Sequence, residues 1–154
     1  MSPARRFFPI LAAAAVVILF HQFSDLVAAL AGTDIHIPAS RMRLVTGVGS
    51  RGAALVTADV FLIWAAWGLQ GGRALRSLGG ANYACGALAL LAAAIFLLDA
   101  GKTASAVGGS EISTYRMVVV RTLVLFLAGG AGALLAARQL FGLAGALSPL
   151  APDS

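Results

Sequence analysis

The chain has 154 residues, of which 60% are hydrophobic and only 11% are charged, and its mean hydropathy is +0.92. Soluble domains carry about 25% charged residues, so this composition argues against an ordinary soluble enzyme or binding domain. The net charge is +5, but the arginines occur singly or in pairs beside apolar segments. Nucleic-acid binding needs basic residues clustered on one face, so no nucleic-acid partner is expected. The composition predicts an integral membrane protein in contact with the lipid bilayer.

Four apolar segments follow one another along the chain, each close to the roughly 20 residues that a helix needs to cross a bilayer. They cover residues 9–31, 52–69, 81–98 and 115–137. We therefore predict an all-α fold, a four-helix transmembrane bundle with short loops, forming a single integral membrane domain over residues 1–154.

The segments between the spans contain typical helix-ending residues. Gly32 ends the first span, and residues 32–50 are predicted as a loop with a short helix after Ser40, a suitable N-cap. Residues 71–80 and the Gly- and Ser-rich region before Tyr115 are predicted as loops. Residues 140–154 are predicted as a tail lying on the membrane surface.

The N-terminus resembles a signal peptide, because Arg5 and Arg6 precede an apolar core. The apolar segment is longer than a usual signal-peptide core, so we interpret it as an uncleaved first span. Basic residues are evenly divided between the two sides of the predicted bundle. Since the first helix usually dominates orientation, we predict an N-in, C-in protein of the inner or cytoplasmic membrane.

Ionisable residues inside the predicted spans are the strongest candidates for a functional site, since each costs roughly 2.5–3.5 kcal/mol to insert. They are His21, Asp25, Asp59 and Arg121. His21 and Asp25 are four residues apart and share a helix face. Asp25 and Arg121 are matched in depth, whereas Asp59 is closer in depth to His21. This polar set has four interpretations. It indicates ion pairs that hold the bundle together, snorkelling of Arg121, a proton or ion relay, or a site facing a partner subunit or a bound cofactor.

Small residues at four-residue spacing predict close helix packing. The predicted stripes are Ala81, Cys85, Ala89 and Ala93 in the third span, and Gly129, Ala133 and Ala137 in the fourth. A second stripe in the fourth span, Ala128, Gly132 and Ala136, indicates contact on more than one side. These faces favour a partner, either other membrane subunits or a second copy of the chain.

Two further patterns have weak support. Residues 47–52 match the glycine pattern of a dinucleotide-binding turn, but the next acid, Asp59, comes too soon and lies inside a span. These glycines are better explained as a flexible start of the second span. Asp34 and His36, even with Glu111, do not make a metal site. No catalytic residues and no metal site are predicted, and the sequence indicates no particular cofactor.

Two classes of function remain, and an enzyme acting on lipid or quinone is a distant third. The first is a non-enzymatic accessory or structural subunit that packs into a larger membrane complex, such as an energy-transducing one. The short loops and the abundance of small-residue faces favour it. The alternative is a small ion- or proton-coupled transporter or channel that uses His21, Asp25, Asp59 and Arg121.

Overall fold

The computed structural model describes residues 3–34, 36–104, 107 and 112–147. These residues form five helices: α1 Pro3–Ala31, α2 Pro38–Ser50, α3 Gly52–Gly68, α4 Gly72–Ala104 and α5 Ile112–Leu147. The prediction of an all-α helical bundle is confirmed. The described part of the chain has five helices, and the predicted count of four membrane-spanning helices is not confirmed.

Three helices are long and apolar enough to cross a membrane: α1 over Phe7–Ala31, α4 and α5. Helix α3 has only 17 residues. It reaches the length of a span only together with α2, from which it is bent by 45°. The chain therefore has three membrane-length helices, or four passes if the bent pair counts as one, and this indicates a membrane protein.

The helices extend beyond the predicted spans at several points. Helix α2 begins at Pro38 with Ile37 at the N-cap, instead of after Ser40, because proline is well suited to the first helical turn. Helix α4 begins at Gly72, so most of the loop predicted over residues 71–80 is helical. Helix α5 continues to Leu147, so residues 140–147 of the predicted tail belong to it. Residues 148–154 lie outside the described residues.

The turn between α3 and α4 is short because it is a Schellman motif. Gly71 N–H donates to Ala66 O at 2.9 Å and Gln70 N–H donates to Trp67 O at 3.0 Å. Gln70 has the left-handed conformation that this motif requires, with φ of 53°. The motif satisfies the last carbonyls of α3 and reverses the chain within three residues, so α3 and α4 become antiparallel neighbours.

The packing follows the order α1–α3–α4–α5, with α2 lying against α4 and α5. At one end of the bundle, the Phe8 end, the Phe8 ring lies against Gly68, and the start of α4 at Gly72 lies beside Leu147. At the other end, the Asp99 end, Arg41 contacts Asp99. The α2–α3 pair therefore runs antiparallel to α4 along its whole length.

Helices α4 and α5 form the most extensive contact. A Cβ atom on Gly86 would lie 2.9 Å from Gly130 O, so the two backbones approach each other closely there. Except for Asp99, the buried residues of α4 recur at spacings of three, four or seven residues: Leu75, Gly79, Asn82, Gly86, Ala93, Phe96 and Ala100. Those of α5 include Gly130, Ala137 and Ala144, seven residues apart. This spacing is typical of helices that pack as in a coiled coil.

The predicted packing stripes are thus only partly buried in this contact. Ala93 and Ala137 are buried, Ala89 and Ala133 are half-buried, and Ala81, Cys85 and Gly129 are exposed. A four-residue repeat drifts around a helix of 3.6 residues per turn, whereas the seven-residue repeat stays on the seam.

Candidate functional site

The bend between α2 and α3 lies where the sequence has Gly47, Gly49 and Gly52. Each glycine weakens a helix by about 1 kcal/mol relative to alanine, so the helix is least stable here. At the break, Arg51 N–H donates to Val48 O at 3.1 Å, and Arg51 O accepts from Ala54 N–H at 3.1 Å. The glycine pattern of residues 47–52 therefore coincides with a helix break that has a helix on each side.

Three polar side chains meet at this break, and we call them the Asp25 cluster: His21, Asp25 and Arg51. Arg51 Nη2 lies 3.7 Å from Asp25 Oδ2, and His21 Nε2 lies 3.8 Å from the same oxygen. Both distances exceed hydrogen-bond length, and gaps of this size are suited to a bridging water or ligand group. The cluster joins α1 to the start of α3, and its side chains are at least a third exposed.

Asp59 lies in α3, about 12 Å along the helix from Arg51, at about 1.5 Å rise per residue. Its Oδ1 accepts a hydrogen bond of 2.8 Å from Asn82 Nδ2 of α4. Asn82 is buried and also donates to Leu78 O at 3.1 Å. Asp59 is therefore paired with the neutral amide of Asn82. Sequence analysis did not identify Asn82 as a candidate site residue.

Arg121 lies elsewhere, exposed on the outer surface of α5. Within the described ranges, no ion pair joins it to an acid. The four ionisable residues predicted as one polar set therefore occupy three places: His21 with Asp25, Asp59 with Asn82, and Arg121 apart from both.

The shortest ion pair at the Asp99 end was not predicted from the sequence. Arg41 of α2 donates to Asp99 of α4 through Nε at 2.6 Å and Nη2 at 2.7 Å. The Asp99 side chain is 4% exposed and that of Arg41 is 30% exposed. Beside this pair, Tyr115 of α5 donates its hydroxyl to Ala100 O at 2.7 Å. The ion pair holds α2 against the end of α4, and the Tyr115 hydrogen bond joins the start of α5 to the same end of α4.

In the described part of the chain, no group of three or more His, Cys, Asp or Glu side chains could hold a metal ion. Asp34 instead accepts the backbone N–H of His36 at 2.9 Å, a local turn contact, and Glu111 lies outside the described residues. The exposed Cys85 is a free thiol.

No protein-family model, no curated protein and no solved structure matches this chain. The class of protein is therefore defined by the fold and the contacts. It is an all-α helical bundle with membrane-length helices and polar contacts between them.

Proposed function

We propose that the chain is an integral membrane protein that crosses the bilayer four times, with α2 and α3 together forming the second pass. The support is the length and apolar character of α1, α4, α5 and the bent pair. Large apolar side chains on the outer surface, such as Phe20, Leu98 and Leu135, agree with contact to lipid.

We further propose the inner or cytoplasmic membrane and the N-in, C-in orientation. Arg5, Arg6, Arg73, Arg76 and Arg138 all occur in the helix portions toward the Phe8 end. The two sides carry equal numbers of basic residues, but the first helix usually dominates orientation. Arg5 and Arg6 precede its apolar segment, so the Phe8 end suits the cytoplasmic side.

For the activity, we propose a non-enzymatic subunit of a larger membrane complex. The observation that carries this proposal is the position of Arg121 on the outer surface of α5, inside an apolar helix. Charged side chains in a membrane usually face a bundle interior, a water-filled cavity or a partner, because lipid cannot solvate them. An acidic group of a second protein would satisfy Arg121.

The same face of α5 also carries small residues. Ala128 and Gly132, seven and eleven residues after Arg121, share its helix face and are exposed. A Cβ atom on Gly132 would contact nothing within 4 Å. Small residues at four-residue spacing allow another helix to approach closely, so this face combines a close-packing surface with a charge.

The test is purification from native membranes in mild detergent, followed by mass spectrometry of the intact particle. We expect other proteins to co-purify in fixed stoichiometry with the wild-type chain. Arg121→Ala should reduce their recovery at least tenfold, a loss of about 1.4 kcal/mol. Arg121→Lys should retain much of the partner because it keeps the charge.

Arg116→Ala is the matched control, since Arg116 is another exposed arginine of α5, only five residues away. The Arg116→Ala variant should recover the co-purifying proteins in the same amount as the wild type. A wild-type chain that purifies without any other protein, or equal losses for Arg116→Ala and Arg121→Ala, would contradict the proposed subunit role.

A small ion- or proton-coupled transporter is the second candidate. The helix break favours it, because discontinuous membrane helices often form ion or substrate sites in transporters. The Asp25 cluster at the break and Asp59 in the next two turns would be its polar groups.

A further inference from the structure

Helix α2 and the start of α5 leave an open groove between them at the Asp99 end, with a volume of about 360 Å³. This volume lies in the range of about 300–1,000 Å³ that is usual for small-molecule sites. The wall on α2 includes Met42, Arg43 and Thr46, and the wall on α5 consists of Tyr115 and Val118. The groove therefore combines apolar side chains with hydroxyl groups and one arginine.

The groove lies where the bundle passes from the apolar segments to the segments between them. Tyr115 is the first residue of the apolar segment 115–137 and Val118 lies inside it. Thr103, which also lines the groove, follows the end of the apolar segment 81–98. In a protein that spans the bilayer, lipid head groups lie at this boundary. A ligand in the groove would therefore have head groups on one side and acyl chains on the other.

Arg43 is the side chain that can donate hydrogen bonds to a ligand here. Each lining hydroxyl has a single proton, and each already donates it to a helix carbonyl. These bonds run from Thr46 to Met42 O at 2.8 Å, from Thr103 to Asp99 O at 2.9 Å and from Tyr115 to Ala100 O at 2.7 Å. The Arg43 side chain is exposed and forms no ion pair or hydrogen bond with any described residue.

The charge of the groove is positive and lacks a counter-charge. No acidic side chain lines it among the described residues. Asp99, at the same end of the bundle, is 4% exposed and is already paired with Arg41. A guanidinium group binds a phosphate through short, charge-assisted hydrogen bonds. The groove therefore suits an anionic ligand, and its apolar lining favours one that also carries hydrocarbon.

We propose that this groove binds an anionic phospholipid. The phosphate accepts hydrogen bonds from Arg43, and the first carbons of the acyl chains lie against Met42 and Val118. Binding neutralises Arg43 at the level of the head groups and covers apolar surface between α2 and α5. The proposal depends on the membrane location proposed above, but not on the subunit role.

The test is native mass spectrometry of the full-length protein, purified in a non-ionic detergent, freed of lipid and titrated with one lipid at a time. The probe is dioleoyl-phosphatidylglycerol. The comparison lipid is dioleoyl-phosphatidylcholine, which has the same acyl chains but a choline that cancels the phosphate charge. We expect saturable binding of one phosphatidylglycerol per chain. Phosphatidylcholine should bind about tenfold more weakly or worse, because its cation opposes Arg43.

Arg43→Gln should weaken phosphatidylglycerol binding to the level of phosphatidylcholine. Arg116→Gln is the matched control, since it removes the same charge from an exposed arginine at the same end of the bundle. Arg116 does not line the groove and, two residues from Val118, points to another side of α5. Phosphatidylglycerol binding should be unchanged in this variant.

Three results would overturn the proposal. Equal affinity of the wild type for the two lipids would show that the charge of the head group is not recognised. Equal losses for Arg43→Gln and Arg116→Gln would show a general attraction to basic residues. Displacement of the lipid by inorganic phosphate at the same concentration would show a site for free phosphate. If phosphatidylglycerol binds as expected while no protein partner co-purifies, the lipid site stands and the subunit role fails.

Discussion

Arg41 and Asp99 form the ion pair with the best geometry among the described residues, with two hydrogen bonds and a carboxylate that is almost fully buried. A carboxylate left in an apolar environment without its cation is strongly unfavourable. Asp99 is surrounded in sequence by Leu97, Leu98 and Ala100 and is one of the buried residues of α4, so it depends on Arg41. The pair is thus expected to decide whether α2 stays docked on α4.

Replacing Arg41 by glutamine should lower the free energy of unfolding, and by clearly more than a neutralising substitution elsewhere on α2, because it leaves the Asp99 carboxylate without its cation. The measurement is unfolding in micelles by titration with a denaturing detergent.

Arg43→Gln is the control, since Arg43 is an exposed arginine on the same helix. It removes the same charge from α2 and should change the free energy of unfolding by less than about 0.5 kcal/mol. Equal effects of the two substitutions would show that the pair contributes nothing specific.

At the level of single residues, sequence analysis identified positions along the membrane normal but not directions around each helix. Arg121 and Asp25 were matched in depth, yet α1 packs chiefly on α3 and α5 chiefly on α4, so the two residues do not meet. The Arg41–Asp99 pair was missed because its members are 58 residues apart. The sequence feature that could have indicated this pair is Asp99, a charged residue within the apolar sequence of residues 95–100.

At the level of the helices, the contact between α4 and α5 depends on two glycines. A Cβ atom on Gly86 would lie 2.9 Å from both Gly130 O and Leu134 Cγ. On Gly130 it would lie 3.0 Å from Leu90 and 3.2 Å from Gly86 O. The Gly130 oxygen cannot move aside without separating the helices, so a side chain at Gly86 forces a shift, whereas at Gly130 the neighbouring atoms would have to move by only a few tenths of an ångström.

Gly86→Ala should therefore lower the free energy of unfolding by about 1–3 kcal/mol, as overpacking of a close contact usually does. Gly80→Ala is the matched control on the same helix, because a Cβ atom there would contact nothing within 4 Å. The control should be neutral or stabilising by up to about 1 kcal/mol, since alanine favours a helix. Detergent-induced unfolding compares the two variants, and equal stability would show that the close contact is unimportant.

The number of helices depended on features that hydropathy does not report. Apolar length predicts where a helix can cross a bilayer, and α1, α4 and α5 contain the first, third and fourth predicted spans. The second pass is less regular, because glycines at 47, 49 and 52 divide it and Pro38 begins it. Residues 38–50 are polar enough to suggest a loop, and only their contacts with α4 and α5 explain why they form a docked helix.

At the scale of the whole molecule, the two proposed functions use different parts of the protein. The subunit role uses the outer face of α5 with Arg121, at one edge of the row of helices. Transport would use the contacts among α1, α3 and α4, where the Asp25 cluster and the Asp59–Asn82 pair lie. Variants can therefore separate the two functions.

Since Asp59 is hydrogen-bonded to the buried Asn82 of the neighbouring helix, we expect it to have a structural role. The purified protein in liposomes should show no proton or cation flux above that of empty liposomes, and Asp59→Asn should leave this unchanged. If flux does occur and Asp59→Asn abolishes it while the protein still inserts, transport replaces the subunit role. Asp34→Asn is the control, because Asp34 lies exposed between α1 and α2, and its flux should equal that of the wild type in either case.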